Sequence, residues 1–264
     1  QGKPLDIQIE PNKSLEDHQE KCNEVSHSQI QRIEEAKLRI NILDSSQEYL
    51  DFSEESRKTS KAKFLELFSQ GFLIKNQRRF YLNVPKIIES RDIKGIVRQI
   101  KIKPESFRKT LEQLLHDAKD PLLITKPRLF ATPIPFYFCS SCSEVYPSSS
   151  DPRTILAKCP KCGMKNKNEM TDTLDPLFDL SVQGYSLHPF NAPADIQICG
   201  RNMATRYIYY SLLTHAAIDN LPAFRNLFVH NILNDNSGRR LSNKNGNLTD
   251  IMDIPSELHG DAIR

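Results

Sequence analysis

A strand, a helix and a second strand follow one another between residues 194 and 233, and this order constrains the fold more than any other feature. The alternating segment A-D-I-Q-I-C-G, Ala194–Gly200, precedes a helical pattern over residues 202–218. Pro222 follows the end of that helix, and F-R-N-L-F-V-H-N-I-L, Phe224–Leu233, has the composition of a second strand. A strand–helix–strand unit joins parallel neighbours through a right-handed crossover. The sequence therefore predicts an α/β fold with a parallel sheet.

Four of the six cysteines stand in two close pairs, C-S-S-C and C-P-K-C-G, separated by sixteen residues: Cys139, Cys142, Cys159 and Cys162. Two such knuckles can present four thiolates tetrahedrally to one zinc ion, with no ligand position left open for catalysis. The spacing predicts a structural zinc ribbon at about residues 136–170; four unligated buried thiols are the alternative. This use of cysteine, without a disulfide framework, predicts an intracellular, reducing compartment, either the mitochondrial matrix or the cytoplasm.

The N-terminal part of the chain differs in composition from the rest. Residues 1–13 are polar with two prolines and are expected to form an irregular arm. S-L-E-D from Ser14 predicts a capped helix, and a second helix is expected to begin near Ser53. We therefore divide the chain into an acidic, mostly helical leader, 1–52, and a body, 53–264.

Charge is distributed unevenly along the chain. Residues 1–56 hold 6 Lys or Arg against 13 Asp or Glu, whereas the remaining 208 residues hold 30 against 20. A basic body suits a polyanionic partner such as RNA. The alternative is an ordinary solvated surface whose lysines only keep the protein soluble.

No apolar run approaches the roughly 18 residues that a membrane span needs, so membrane insertion is not expected.

The candidate RNA contacts are basic residues near a predicted strand and around the ribbon. They are Lys75, Arg78, Arg79, Lys158, Lys161, Lys165 and Lys167, together with Arg239, Arg240 and Lys244 further along the chain. The last three belong to G-R-R-L-S-N-K-N-G-N, Gly238–Asn247, a basic loop punctuated by glycine that is suited to holding an anion.

Several further segments occur in a particular order. They are T-K-P-R-L-F-A-T-P-I-P-F-Y-F-C (Thr125–Cys139), C-P-K-C-G with T-D-T-L-D-P-L-F-D (Thr171–Asp179), A-D-I-Q-I-C-G with its helix, the strand Phe224–Leu233 with the loop Gly238–Asn247, and H-G-D-A-I-R (His259–Arg264). From about residue 50 onwards, these segments resemble the landmarks of the leucyl, isoleucyl and valyl group of class I aminoacyl-tRNA synthetases. The loop resembles that family's G-x-K-M-S-K-S-x-G-N signature. The resemblance implies a partial Rossmann-like nucleotide-binding sheet, here its second half, with an inserted zinc ribbon and an N-terminal helical region.

In that family the lysines of the signature loop hold the triphosphate of ATP during amino-acid activation, because charge develops on pyrophosphate. The resemblance places Arg240 at the first lysine, Ser242 at the serine and Asn243 at the second lysine. Lys244 then stands one step beyond the catalytic position, which holds a neutral amide. ATP is therefore expected as a ligand only if the activity survives. The implied nucleotide-binding candidates are Gly200, Gly238, Lys244, Gly246 and Asn247.

Other positions depart from the family pattern. Asn202, Met203 and Arg206 stand where an acid and histidines are expected, and Phe130 and Val182 stand where tryptophans are expected. The stretch from about residue 84 to 121 is too short for an editing domain. An H-I-G-H motif is expected before about residue 14 and an anticodon-binding domain after residue 264, and the sequence shows neither. These departures indicate a degenerate relative.

Three functions are compatible with these observations. The first is a non-catalytic synthetase-like protein that serves as a structural or RNA-contacting component of a larger ribonucleoprotein, with tRNA or rRNA and other protein subunits as partners. The second is part of an active, ATP-dependent tRNA ligase whose H-I-G-H half is not in this chain. The third is a free-standing zinc-ribbon nucleic-acid binder, which leaves the strand–helix–strand unit unexplained.

Overall fold

The computed structural model describes residues 14–40, 42, 53–128, 130–147, 158–165, 167–169, 172–187, 193–242, 245–248, 250–255, 257–258 and 260–263. The predicted arm, residues 1–13, lies outside them. The chain divides into two compact units, one of Tyr49–His230 and one that combines Gln1–Glu48 with Asn231–Arg264. The domain boundary predicted between residues 52 and 53 stays a prediction, because residues 43–52 lie outside the described part.

The described elements alternate between helices and short strands. The helices are α1 (Leu15–Arg39), α2 (Glu54–Ser69), α3 (Val84–Ser90), α4 (Ile93–Gln99), α5 (Ser106–His116), α6 (Pro176–Ser181), α7 (Gln183–Leu187), α8 (Arg201–Asp219) and α9 (Gly260–Ile263), with a 3₁₀ turn at Ile251–Asp253. The strands are β1 (Leu73–Asn76), β2 (Arg79–Leu82), β3 (Lys101–Lys103), β4 (Leu122–Leu123), β5 (Thr125–Lys126), β6 (Phe136–Cys139), β7 (Val145–Pro147), β8 (Lys167–Glu169), β9 (Thr173–Leu174), β10 (Ala194–Gly200) and β11 (Phe224–His230). Among these helices, none is long and apolar enough to cross a membrane.

The predicted parallel sheet is confirmed. β10 pairs with β11 in parallel, from Ala194 opposite Phe224 to Gly200 opposite His230. β11 also pairs in parallel with β3, which the sequence did not predict, so the strand order is β10-β11-β3. β11 ends three residues before the predicted strand end at residue 233.

Helix α8 supplies the layer that covers one face of this sheet. It begins directly after β10, and from Tyr207 onwards nearly every residue is buried, including Leu212 and Leu213. The helix ends at Asn220, whose φ of 58° lies in the left-handed region that asparagine tolerates. The short connection to β11 then returns the chain parallel to β10, which is the crossover that the sequence predicted.

A cluster of phenylalanine rings joins the helical and strand parts of this unit. Phe64 of α2 is fully buried, and its ring centroid lies 5.1 Å from that of Phe80, 5.9 Å from that of Phe136 and 6.0 Å from that of Phe178. All three contacts are edge-to-face, the arrangement that the quadrupoles of aromatic rings favour. Ser53 caps α2 as predicted, so a local capping signal places Phe64 at the centre of a long-range cluster.

The smaller unit is organised around α1. Ser14 caps this helix, as the S-L-E-D pattern predicted, and the structure adds a capping box between Ser14 and Asp17. Residues from the C-terminal part of the chain contact it: Arg32 pairs with Asp250 at 2.6 Å, and Arg39 donates to the carbonyl of Pro255 at 2.6 Å. Gly260 lies so close to this helix that a Cβ there would stand 2.8 Å from the carbonyl carbon of Ile40.

Candidate functional site

Two loops of matching geometry hold the paired cysteines. In the first, the N–H of Cys139 donates to the carbonyl of Glu144, and the carbonyl of Cys139 accepts from the N–H of Ser143. In the second, the N–H of Cys159 donates to Met164, and its carbonyl accepts from Gly163. The fifth residue of each loop is left-handed, with φ of 57° at Ser143 and 72° at Gly163. These are the two knuckles that the C-x-x-C spacing predicted.

The knuckles bring the four sulfur atoms into one cluster, with all Sγ atoms within 4.8 Å of one another. The Sγ atoms of Cys139 and Cys162 are 3.6 Å apart, as are those of Cys142 and Cys159. A tetrahedral ion with bonds of about 2.3 Å to sulfur would separate its ligands by about 3.8 Å. The residues present therefore fit a four-coordinate metal ion. β7, β6 and β8 form the three-stranded antiparallel sheet that carries the first knuckle.

The four thiols of the cluster influence one another, and Cys139 is the one that the first knuckle favours as a thiolate. Burial opposes ionisation of Cys139, but hydrogen bonds from the backbone N–H groups of Cys142 and Ser141 and from the neighbouring thiols lower the pKa of the Cys139 thiol to about 6. Against a hydrogen bond from the backbone N–H of Glu144, burial and the hydrogen bonds shared with the other thiols raise the pKa of Cys142. The thiolate is the form that binds metal.

A single carboxylate links the ribbon to the β1–β2 hairpin. Glu144, in the first knuckle, accepts a hydrogen bond from Lys75 of β1 at 2.9 Å and another from Lys161 of the second knuckle at 3.2 Å. The hydrogen bond from Lys75, followed by that from Lys161, lowers the pKa of Glu144 to about 2. At the tip of the hairpin, the guanidinium of Arg78 lies 3.9 Å from the ring centroid of Phe138, a cation–π contact. The hairpin and the ribbon thus form one basic surface.

The structure brings only some of the other predicted RNA contacts together with this surface. Arg79, Lys158 and Lys165 are exposed, whereas the side chain of Lys167 lies outside the described residues. Lys75 and Lys161 share Glu144, so their two charges are partly neutralised. An RNA role for these residues stays a prediction.

The signature-like loop is organised by Asp235, a residue that the sequence analysis did not single out. Its carboxylate accepts from the N–H and the hydroxyl of Ser237, and from the N–H and Nε of Arg239 at 2.8 and 3.0 Å. Asn247 also donates to it, at 3.0 Å. These hydrogen bonds, that from Asn247 above all, hold the pKa of Asp235 at about 2. The cation of Arg239 is therefore committed to an ion pair inside the loop.

The rest of the loop keeps a turn-rich shape. Gly238 and Gly246 have φ of 77° and 66°, a region that favours glycine. The carbonyl of Arg240 accepts from the side chains of Asn245 and Asn247, and the N–H of Ser242 donates to Asn247. Asn243 and Lys244 lie outside the described residues, so their predicted roles stay predictions.

Gly200, the remaining nucleotide-binding candidate, stands where β10 ends and α8 begins. A Cβ at this position would lie 2.9 Å from Oδ1 of Asn202 and 3.2 Å from Cε1 of His230. The side chains of Asn202 and His230 thus approach the backbone closely at this strand–helix junction, and both would have to shift to admit a Cβ. A nucleotide-binding role for Gly200 stays a prediction.

A buried ion pair that sequence reasoning missed joins two of the segments that carry the family resemblance. Lys126, in T-K-P-R, lies 2.6 Å from Asp175, in T-D-T-L-D. Asp175 is 2% exposed and also accepts from the N–H of Leu177, which caps α6. The two segments pair as strands β5 and β9. Their separation of almost fifty residues hides this contact from any local pattern.

Comparison with known proteins places the chain in a family. The sequence profile described as tRNA synthetases class I (I, L, M and V) matches residues 80–264, more than two thirds of the chain. The chain therefore belongs to the class I tRNA synthetase family, as the resemblance predicted.

Several curated proteins of similar sequence are valine–tRNA ligases. The valine–tRNA ligase of Methanopyrus kandleri is 26% identical over 205 residues, which cover 73% of this chain and 22% of the relative. The valine–tRNA ligase of Methanocaldococcus jannaschii is 23% identical over 200 residues, covering 70% and 23%. The chain thus spans less than a quarter of the length of these relatives.

Solved structures support the fold. Methionyl-tRNA synthetase from Mycobacterium tuberculosis, in complex with methionyl-adenylate, superposes with a TM-score of 0.56 at 14% identity. The match covers 88% of this chain and 48% of that chain. A second structure of the same enzyme gives a TM-score of 0.55. At this identity the likeness establishes the Rossmann-like fold only.

We expect purified protein to carry about one tightly bound metal ion per chain, because four thiolates at tetrahedral spacing satisfy one ion. Elemental analysis after gel filtration measures this. Cys159→Ser should reduce the metal content to near zero, whereas Cys22→Ser, a half-buried cysteine of α1 outside the cluster, should leave it unchanged. A metal-free wild-type chain whose thermal midpoint is indifferent to chelator would contradict the expectation, since metal binding contributes to folding.

Proposed function

We propose that this chain is a non-catalytic member of the class I synthetase family that works as an RNA-contacting component of a larger assembly. The observation that carries the assembly part of this proposal is an exposed apolar face on its parallel sheet. Ile196 and Ile198 of β10 are each 63% exposed, and Phe228 of β11 is 48% exposed. Since Ile198 lies opposite Phe228 in the register and side chains alternate along strands, the three share one face.

Such a face is unusual for a parallel sheet. Parallel sheets occur almost only with both faces covered, and here the opposite face is buried through Leu227 and Val229. Burying one isoleucine or phenylalanine side chain stabilises a complex by about 1.5–3 kcal/mol. β10 is also an edge strand among the described strands, so its free edge can pair with a further strand. A partner that covers this face is therefore strongly favoured.

We expect the chain, isolated from its cells in low-salt buffer, to sediment with a particle much larger than its own 30.3 kDa. The double variant Ile198→Ser with Phe228→Ser should shift towards the position of the free chain, because it removes the apolar contact. Leu38→Ser, at a 69% exposed leucine of α1, is the matched control and should not. Wild-type protein that sediments as a free monomer would overturn the assembly proposal.

RNA contact is proposed from the basic surface of the hairpin and ribbon. The relatives are named as ligases of tRNA, and the surface carries Lys75, Arg78 and Lys161 around one acid, Glu144. Lysine and arginine bind RNA chiefly through phosphates, so their contribution depends on charge and on salt. Here the number of cations exceeds the number of acids, and Glu144 limits the positive potential.

Substitutions at this surface should shift RNA affinity in opposite directions. Lys161→Gln removes one phosphate contact and should weaken binding of a tRNA transcript about fivefold, roughly 1 kcal/mol. Glu144→Gln removes the opposing charge and should tighten binding. Fluorescence anisotropy at two salt concentrations measures both. Lys58→Gln, an exposed lysine of α2, is the control. Equal affinity of all four proteins would exclude RNA contact at this surface.

The proposal that the chain does not activate amino acids rests on the signature-like loop. Asn243 stands at the position that the family resemblance assigns to a phosphate-holding lysine, and Arg239 is tied to Asp235. A neutral amide stabilises the charge that develops on pyrophosphate less than a lysine ammonium does. A second candidate function is part of an active ligase whose H-I-G-H half lies on another segment. The open sheet face favours this candidate too, because the strands of that half would cover it.

Pyrophosphate exchange separates the two functions. We expect exchange with ATP and leucine, isoleucine or valine to stay at background, both for the chain alone and after addition of a class I synthetase fragment that carries an H-I-G-H motif. Asn243→Lys, tested with the same fragment, reports how much of the defect lies at this one position. Exchange by the wild-type chain with the fragment would replace the non-catalytic proposal by the ligase.

We also propose that the ion of the cysteine cluster is zinc. Four thiolates without an open position are the ligand set of structural zinc sites, and soft sulfur ligands disfavour magnesium and calcium. The ion would hold the ribbon together and take no part in a reaction. Residence in the mitochondrial matrix or the cytoplasm, where thiols stay reduced, is part of the same proposal.

A further inference from the structure

A groove of about 760 Å³ lies between helices α4 and α5, with a contribution from Ile88 of α3. It falls within the stretch of residues 84–121, which is short by the standard of the family and has no role in the proposed function. α4 and α5 are held together beneath it by Arg108, which donates to the carbonyls of Val97 and Ile100 at 3.1 and 2.9 Å. The groove is therefore a preformed feature of two braced helices.

The floor of the groove is aliphatic. Ile93 and Val97 are nearly fully buried, and Ile88 and Leu115 are half-buried at its surface. None of the lining residues is phenylalanine, tyrosine or tryptophan, and none carries a buried polar atom that lacks a hydrogen-bond partner. The one imidazole, His116, lies exposed outside the floor and contacts Asp117. A small-molecule site needs a few polar groups that converge on the ligand, and a single-stranded RNA site needs aromatic rings on which bases stack. The floor has neither feature.

The rim of the groove is basic. Lys94 and Arg98 of α4 and Lys109 of α5 are exposed, and Glu112 is the one acidic residue that lines it. The ion pairs described for α5 involve neither Lys109 nor Glu112. They join Arg108 to Glu105 and His116 to Asp117. Three cations thus surround an aliphatic floor, opposed by Glu112 and by Asp117, whose carboxylate accepts from the lining residue Gln113.

We propose that this groove binds an acidic amphipathic helix of a partner protein. Such a helix lays leucine-like side chains at positions i, i+3, i+4 and i+7 into an apolar groove, and its glutamates then face the cations of the rim. The charge complementarity selects an acidic partner and excludes a basic one. This inference does not depend on RNA contact or on the fate of the signature-like loop.

A designed peptide tests the proposal on the full-length chain. The probe is a fluorescein-labelled 16-residue helix with leucines on one face and glutamates on the other. Two comparison peptides are its scrambled version and a version with lysine in place of each glutamate. Anisotropy should show saturable binding of the acidic helix only. The variant Lys94→Glu with Arg98→Glu should weaken it at least tenfold and should gain affinity for the lysine peptide. Leu115→Glu should weaken binding of the acidic helix, because it removes part of the apolar contact.

Lys58→Glu on α2 is the control for charge reversal outside the groove, and unchanged circular dichroism and thermal midpoint show that each variant is folded. Equal binding of the acidic and scrambled peptides would overturn the proposal. A charge-reversal variant that keeps wild-type affinity would overturn it as well. Displacement of the acidic peptide by an unstructured RNA oligomer, with loss of RNA binding in the same double variant, would replace the protein partner by RNA.

Discussion

Two-sided burial is the constraint on which the larger unit depends. A parallel sheet has to cover both faces, and a crossover helix can cover only the face on which it packs. α8 does so for β10 and β11, and it is the most deeply buried helix among those described. The opposite face carries Ile196, Ile198 and Phe228, which the described residues leave exposed. One side of β10 and β11 thus belongs to the core, whereas the other side leaves these three apolar side chains exposed.

The sequence predicted the features that local signals determine. Ser14 and Ser53 begin helices because a hydroxyl in front of acidic first-turn residues satisfies free N–H groups, and Asn220 ends α8 because it tolerates the left-handed region. The C-x-x-C spacing predicted the knuckles because it, too, is a local signal within a few consecutive residues. Contacts between distant residues were missed. β3 pairs with β11 across more than 120 residues, and three residues, K-I-K, have too little pattern to mark a strand. Lys126 and Asp175 were likewise hidden by their separation.

Charge counts were the least informative part of the sequence, because they ignore pairing. Arg239 belongs to a basic run in the sequence, yet in the folded loop its cation is bound to Asp235 beside the hydrogen bonds from Ser237 and Asn247. Lys75 and Lys161 lie far apart in the chain and share one carboxylate. Exposed ion pairs contribute only about 0–1 kcal/mol to stability. The main effect of these pairs is therefore to lower the positive electrostatic potential of the surface, and their contribution to the free energy of folding is small.

Glu144 shows how the metal cluster and the basic surface are joined. Its backbone carbonyl accepts the N–H of Cys139, which closes the first knuckle, and its carboxylate holds Lys75 of the hairpin and Lys161 of the second knuckle. A metal ion bound by this cluster would fix the two knuckles relative to each other, because each supplies two of the four sulfur atoms. It would thereby fix the distance between Glu144 and Lys161, and through Glu144 the position of the hairpin. A structural ion without an open ligand position would then bear on function, because it would set the geometry of the surface that we propose contacts RNA.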